Sequence, residues 1–486
     1  NHGIFTFGNT AKESYDRMIQ YVTIAEKELS KYKNNILNKK NNSKKNNKLK
    51  SHIILPLIRK NLSVKNENGD YTKWIFDIRV NKNILNYLDH KNLKNFTSRG
   101  TVTPDHVIRT KSKPLILNIG NLNQVKIDYL LHKEIEKYKK NYKKYYLKNK
   151  KFEKNAIELD GNPRLIFIPN FGIVAIGRSK KEAKIAGDLA EAQVDIISKA
   201  ESLGRFSSIS EKEIFKVEYW PLEQAKLKTL KRAKLTSNVV VISGGCGAIG
   251  LAIAKEFLMN GAEVVLLEKN SINIKNTPTE IANNCTIIKC DVTNSNDVNK
   301  AIVKIVDIYG GIDIMVSNAG AAWQGEIGKV NSKILKESFD LNFYAHQYLS
   351  QACIDIMLKQ QTGGVLLFNI TKQAINPGNN FGPYGIPKAS TLFLMRQYTL
   401  EYGKFGIRSN GVNPDRIRSG LVSDKMIASR SKARNVSEKE YMSGNLLKEE
   451  VLAEDVGKAF LSLALAKKTT GDVMTVDGGN IQAVLR

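Results

Sequence analysis

Cysteine is scarce in this 486-residue sequence. The four residues, Cys246, Cys285, Cys290 and Cys353, all lie in the second half, without a CxxC pair or a Cys/His cluster of zinc-finger spacing. That excludes a disulfide scaffold, and reduced thiols are the expectation. No apolar run reaches the roughly 20 residues a membrane helix needs. The longest candidate, residues 239–267, is broken by glycines, Lys255 and Glu263. Residues 1–10 lack a basic stretch followed by an apolar one, so no secretory signal is expected. The six histidines include no HxH pair. What is present, 42% hydrophobic, 8% aromatic and 25% charged residues, is ordinary globular composition. At about 100–200 residues per domain, two to four domains are expected, in a cytoplasmic protein without a membrane partner.

The net charge of +28 is unevenly placed. Residues 1–236 hold 48 Lys+Arg against 24 Asp+Glu, and residues 237–486 hold 27 against 23, so the excess belongs to the first half. Residues 31–50 contain eight lysines and seven asparagines, and residues 137–154 form a second basic run with Tyr142, Tyr145 and Tyr146 interleaved. Such runs either neutralise phosphates while tyrosines stack on bases, or form solvated helix faces and loops. Arginine, the usual base-reading cation, is sparse there, which favours the second reading, and nucleic acid is not the expected partner.

The hydrophobic periodicity predicts a helix over residues 12–29 behind Thr10 as a cap, strands at 165–169 and 172–177 around a turn at 170–171, and a long amphipathic helix over 180–203. Residues 218–229 read as a connector with Trp220 as its anchor. From residue 238 onward, short apolar runs alternate with helix-length amphipathic stretches. Strands are expected at 239–243, 264–268, 286–289, 312–317, 365–369, 409–412 and 473–476. Each crossover needs about a dozen residues and a parallel sheet must be covered on both faces, so the spacing predicts one α/β, doubly wound domain of the Rossmann type. The expected division is 1–235 and 236–486.

The first of these strands runs into Ser243-Gly244-Gly245-Cys246-Gly247-Ala248-Ile249-Gly250, followed by an apolar helix. Glycines at a strand-to-helix turn let the backbone approach a pyrophosphate, and the helix N-terminus adds amides and a positive dipole end. Gly245, Gly247 and Gly250 match GxGxxG, a pattern given weight by the strand before it and the helix after it. Eighteen residues past Gly250, Glu268 ends the next strand. A carboxylate there accepts ribose hydroxyls and repels a 2′-phosphate, favouring NAD over NADP, although Lys269 beside it works against this; the alternative is a solvent-facing strand end. Asp291, after the third strand, is a candidate neighbour of the adenine.

Tyr384 and Lys388 stand four residues apart, one face of a helix. Beside an ammonium and an oxidised nicotinamide, the phenol's pKa is expected to fall, which would make the phenolate a proton acceptor for an alcohol losing hydride. Tyr146 and Lys150 share the spacing, so order and context must decide. Thr371 lies thirteen residues before Tyr384 at a strand end; Asn318-Ala319-Gly320 and Asn342 lie upstream. These elements resemble the short-chain dehydrogenase/reductase family across residues 238–486. Its TGxxxGxG falls on Ser243, Gly244, Ala248 and Gly250, its NNAG on Ser317 to Gly320, and its Asn-Ser-Tyr-Lys tetrad on Asn342, Thr371, Tyr384 and Lys388. The resemblance implies Tyr384 as general acid/base and Lys388 as the group lowering its pKa and bonding the nicotinamide ribose. It implies Thr371 as orienter of the substrate oxygen, and Asn342 as holder of a water that relays protons. Ala248 replaces a family glycine and Thr371 the usual serine, with more restricted rotamers. Pro387 places the helix start near Tyr384. Arg416 and Arg418, where the family's substrate loop begins, either hold an anionic substrate group or form positioning salt bridges.

The opening NHGIFTFGNTAKESYDRMI lacks an initiator Met and resembles the last portion of class II (adducin-like) sugar-phosphate aldolases, which makes His2 a candidate zinc ligand. A working site needs three ligands or more, so zinc, and aldolase activity, are expected only with an upstream segment. With PRLIFIPNFGIVAIG, EYWPLEQAKL, FGPYGIPKAS and VDGGNIQAVLR, the chain resembles the bifunctional rhamnulose-1-phosphate aldolase/short-chain dehydrogenase proteins. That resemblance implies an NAD-dependent oxidoreductase acting on a small aldehyde or alcohol such as L-lactaldehyde in rhamnose or fucose catabolism, and a homo-oligomer. The alternatives are a reductase of a polyol phosphate or other ketone, and a non-catalytic basic binding protein.

Overall fold

The computed structural model describes residues 4–32, 50–67, 69–227, 232–420 and 422–480. The chain forms two compact units, one drawn from residues 1–50 and 74–231, the other from 51–73 and 232–486. His2, most of the 31–50 lysine run and the end of VDGGNIQAVLR lie outside the described residues.

In the first unit, strands β1 (Ile75–Arg79), β2 (Leu115–Ile116), β3 (Leu165–Ile168) and β4 (Gly172–Gly177) form a sheet of order β1-β4-β3-β2. The two expected strands pair antiparallel through the turn at 170–171. The helix Lys180–Leu203 packs on β1 and β4 through Ala183, Ala186, Ala190, Val194 and Ile197, a stripe at helical spacing whose small residues allow close approach. Its first turn is capped by Ser179, which accepts from the Glu182 amide at 3.2 Å. The helix Ala11–Ser30 begins, as expected, behind Thr10.

The basic run at 137–154 lies largely on the helix Gln124–Asn149, and its tyrosines point inward. Tyr142 and Tyr145 donate to the two carboxylate oxygens of buried Glu218 at 2.7 and 2.9 Å, and Tyr146 donates to Ala156 O at 2.8 Å. Phe215 and Tyr219 stack at 4.5 Å beneath them. Burial drives the Glu218 carboxyl above its ordinary value, with the two phenols holding it partly back. These rings therefore serve a core, and the lysines form its solvated face. Trp220 is 49% exposed, so the expected anchor of the connector is instead the buried pair Phe215 and Tyr219 just before it.

The second unit contains seven parallel strands: β5 (Val239–Ser243), β6 (Glu263–Glu268), β7 (Cys285–Lys289), β8 (Ile314–Ser317), β9 (Gly364–Asn369), β10 (Ile407–Pro414) and β11 (Val473–Val476). Their order is β11-β10-β9-β8-β5-β6-β7. All seven expected strands are present, and the interrupted apolar run at 239–267 is β5, a helix and β6. Val239 to Ile242 are fully buried, as continuous apolar strands covered on both faces must be. The direction of winding reverses between β5 and β8, so the turns after these two strands open a crevice at the sheet's carboxyl edge. Among the described residues no helix is long and apolar enough to cross a membrane.

The division expected at 235–236 needs one correction. The helix Ser51–Leu62 packs on the helices Ser295–Tyr309 and Ala345–Gln360 of the second unit, burying Ile54, Leu55, Leu57, Ile58 and Leu62. Arg59, fully buried, donates to Asp313 Oδ2 at 2.7 Å and to Ser237 O at 2.8 Å. Lys73 reaches the other carboxylate oxygen at 2.9 Å. Residues 51–73 thus enter the second unit through an ion network that joins positions far apart in sequence.

Candidate active site

The turn after β5 depends on two glycines. Gly244 takes φ +59°, a conformation that favours glycine, and a Cβ there would meet Ala319 Cα at 3.0 Å. At Gly250 a Cβ would lie 2.4 Å from Gly244 O, so the helix Ala248–Met259 can start against the turn only without a side chain. No side chain caps this helix at its N-terminal residue Gly247, in contrast with Ser179 above. Its first amides are the groups a helix leaves without an intrahelical partner.

Ser243 fastens the neighbouring turn: its Oγ accepts from the amides of Asn318 and Ala319 at 2.9 and 3.1 Å. The Asn318 side-chain amide donates to the carbonyls of Ser243 and Gly244 and accepts from Asn369 Nδ2 at 2.9 Å. Asn342, in a single π-helical turn at Asp340–Tyr344, is fully buried. Its side chain donates to Ala321 O at 2.8 Å and accepts from Ala321 N at 3.3 Å, and its carbonyl accepts from Thr391 Oγ1 at 2.5 Å. The contacts of Asn342 therefore latch the Gly320–Ala321 turn.

The helix Gly382–Tyr402 starts two residues before Tyr384, so Pro387 falls in its second turn and Pro383 takes the early position expected of it. Tyr384 and Lys388 project from this helix into one cavity of about 940 Å³ that is also lined by Gly244, Gly247, Ala248, Ile249, Gly250, Glu268, Asp291, Asn318, Ala319 and Gly320. Thr371, just past β9, hydrogen-bonds the Tyr384 phenol from outside that lining. Lys388 donates to Asn369 O at 2.9 Å. Burial pushes the phenol up to about 12 against the opposing Thr371 hydrogen bond, and pushes Lys388 down to about 7. The expected fall of the phenol therefore does not follow from the protein's own neighbours: desolvation wins until further positive charge is added.

At the far end of the cavity, Glu268 accepts from Asn270 N at 2.9 Å. Lys269, which the sequence set against an NAD preference, pairs instead with Asp291 at 2.7 Å. Burial works to raise the Asp291 carboxyl, but hydrogen bonds from Lys269 and Thr293 hold it below its ordinary value. Arg416 and Arg418 are both engaged by protein groups. Arg418 bridges Glu450 and Asp424 at 2.7 and 3.0 Å, and Arg416 donates to Tyr441 O at 2.6 Å. Neither lines the cavity.

A dinucleotide fits these residues on two observations: a turn that any Cβ at Gly250 would fill, and Asn369 Oδ1, a buried acceptor beside the cavity with no partner in the protein. Gly250→Val is expected to weaken nicotinamide dinucleotide binding at least about tenfold, read by fluorescence titration, with the far-ultraviolet circular dichroism spectrum retained.

Family models match the chain in two places, "Aldolase class II, second domain" at residues 50–227 and "Enoyl-(Acyl carrier protein) reductase" at 245–480. A short chain aldehyde dehydrogenase 1 of Euphorbia lathyris is 30% identical over 266 residues, covering 51% of this chain and 88% of that protein. The chain belongs, through its C-terminal half, to the short-chain dehydrogenase/reductase family. An uncharacterized oxidoreductase of Bacillus subtilis (strain 168), YuxG, is 29% identical over 503 residues, 98% of this chain and 71% of that protein. L-rhamnose-1-dehydrogenase of Scheffersomyces stipitis is 29% identical over 255 residues, 50% of this chain and 96% of that protein. The aldolase-type match also takes in the second basic run, at 137–154.

Within the short-chain dehydrogenase/reductase half, two polar residues beside Lys388 were missed. Asn369 supplies an acceptor to its ammonium, and His346 lies 3.3 Å from it. The available signal for His346 was its place four residues after Asn342, one turn along the same helix face.

Proposed function

We propose that the C-terminal half is an NAD-dependent oxidoreductase acting on a small aldehyde or alcohol of the L-lactaldehyde type in deoxysugar catabolism. One observation carries the reading: the phenol of Tyr384 and the glycine turn before Leu251 line a single cavity, which also holds Lys388 and Glu268. The relative named L-rhamnose-1-dehydrogenase supports a deoxysugar substrate class.

The amides at the start of the helix Ala248–Met259 would hold the pyrophosphate, Glu268 the adenosine ribose and Lys388 the nicotinamide ribose. Bound there, the nicotinamide supplies the two-electron acceptor or donor. Tyr384 Oη takes the hydroxyl proton of an alcohol, or of an aldehyde hydrate, as the substrate is oxidised, and returns it in reduction. Thr371, bonded to that phenol, orients the substrate oxygen. Lys388, kept charged, favours the phenolate against the burial that opposes it.

The test is NADH formation with L-lactaldehyde, with sorbitol 6-phosphate as comparison. Turnover of the phosphate alone would favour the polyol phosphate reading, and turnover of neither would favour a binding protein. Glu268→Ala is expected to narrow the preference for NAD over NADP by about tenfold in kcat/KM. An unchanged ratio would remove Glu268 from the specificity assignment.

A further inference from the structure

His346 is fully buried, and its ring connects two parts of the site. Its Nδ1 lies 2.6 Å from Ser317 Oγ, at the end of β8, and its Nε2 lies 3.3 Å from Lys388 Nζ. From β9 it faces the ring of Phe368 at 6.3 Å, and on its own helix its carbonyl accepts from Ser350 Oγ at 2.7 Å. Among the described residues Lys388, on the helix Gly382–Tyr402, is the charged group acting on it.

An ammonium has three donors and no acceptor. Facing one, the imidazole nitrogen nearer Lys388 must be unprotonated, so the proton sits on Nδ1 and is donated to Ser317. Burial, and after it the neighbouring ammonium, hold His346 well below its ordinary value, which keeps the ring neutral. Two donors of Lys388 are then fixed inside the protein, by His346 Nε2 and by Asn369 O, which aims the third.

We infer that His346 is a positioning residue of this oxidoreductase site, a neutral imidazole that accepts a hydrogen bond from the Lys388 ammonium and, anchored through Nδ1–H to Ser317, keeps that ammonium charged and directed. The inference rests on the oxidoreductase reading for its catalytic consequence and on geometry alone for the hydrogen bond. Without this acceptor the buried ammonium keeps one carbonyl oxygen in its place, its charged form is less favoured, and the Tyr384 phenolate loses support.

Two measurements on the full chain test it. In ¹⁵N spectra of protein labelled at its six histidines, with His346→Leu assigning the signal, His346 is expected as the Nδ1–H tautomer through the neutral range. An Nε2–H tautomer or a protonated ring would overturn the inference. In kinetics, His346→Leu is expected to move the rising limb of kcat/KM for oxidation about one pH unit alkaline, a loss of about tenfold below the plateau. The alkaline plateau and the NADH affinity should be kept, and His346→Gln, whose amide oxygen can accept from Lys388, should restore the limb. An unmoved limb in His346→Leu, or equal losses at every pH in both variants, would reduce His346 to packing. Absence of turnover in the wild-type chain would count against the oxidoreductase reading, and the tautomer would then decide the inference by itself.

Discussion

Tyr384→Phe is expected to lower turnover about a thousandfold while leaving nicotinamide dinucleotide affinity within about threefold, because the substitution removes one oxygen and keeps the ring. The ring is buried on the first turn of the helix Gly382–Tyr402, so phenylalanine fills the same space. What disappears is the oxygen that hydrogen-bonds Thr371 and that the proposed chemistry uses to exchange a proton with substrate. Burial puts the phenol at about 12, and a charged Lys388 with an oxidised nicotinamide would work against that burial. The wild-type oxidation rate should therefore rise with pH through the neutral to alkaline range, as proton acceptance by the phenol becomes easier. Steady-state rates across pH, together with dinucleotide binding by fluorescence, check this. Turnover that survives the substitution would overturn the proposed chemistry.

Arg59→Met is expected to cost the second unit about 3–5 kcal/mol at neutral pH, because a buried carboxylate loses the stronger of its two cationic partners. Desolvation works to raise the Asp313 carboxyl, yet Arg59, Lys73 and the Val239 amide hold it below its ordinary value. A depressed carboxyl contributes its stability above its unfolded pKa of about 4 and loses it as the pH falls through the folded value. The gap between wild type and Arg59→Met should therefore be widest near neutrality and shrink below about pH 4, where a protonated Asp313 no longer needs the guanidinium. Urea unfolding at several pH values measures it. Asp313→Asn placed on Arg59→Met should recover part of the loss, and a gap independent of pH would show that packing, not charge, carries the contribution.

Much of the dehydrogenase half was legible locally. Continuous apolar runs such as Val239 to Ile242 can be satisfied only in a sheet covered on both sides, and helix-length spacers between them fix parallel crossovers. The glycine turn, Glu268 and the Tyr384–Lys388 pair were readable because each involves residues one turn or one strand apart. The first half yielded less. Its lysine-rich helix Gln124–Asn149 has a periodicity blurred by Tyr142, Tyr145 and Tyr146, amphipathic residues whose hydroxyls could equally have faced solvent; Glu218, 76 residues from Tyr142, takes the hydroxyls of Tyr142 and Tyr145, and Ala156 O takes that of Tyr146. For the same reason Trp220 reads as an anchor in the sequence, where Phe215 and Tyr219 do that work in the fold.

A parallel α/β domain, a glycine turn between strand and helix and a phenol–ammonium pair on one helix face follow from periods of two and 3.6 residues and from what glycine alone permits, so local pattern is enough to read them. The partners that emerge on folding are different: Arg59 reaches Asp313 across 254 residues, His346 stands behind Lys388, and Arg416 and Arg418 close onto their own loop. Such partners are chosen by burial: a charge taken out of water must be met by whichever complementary group the packed chain brings to it, and no local pattern names that group.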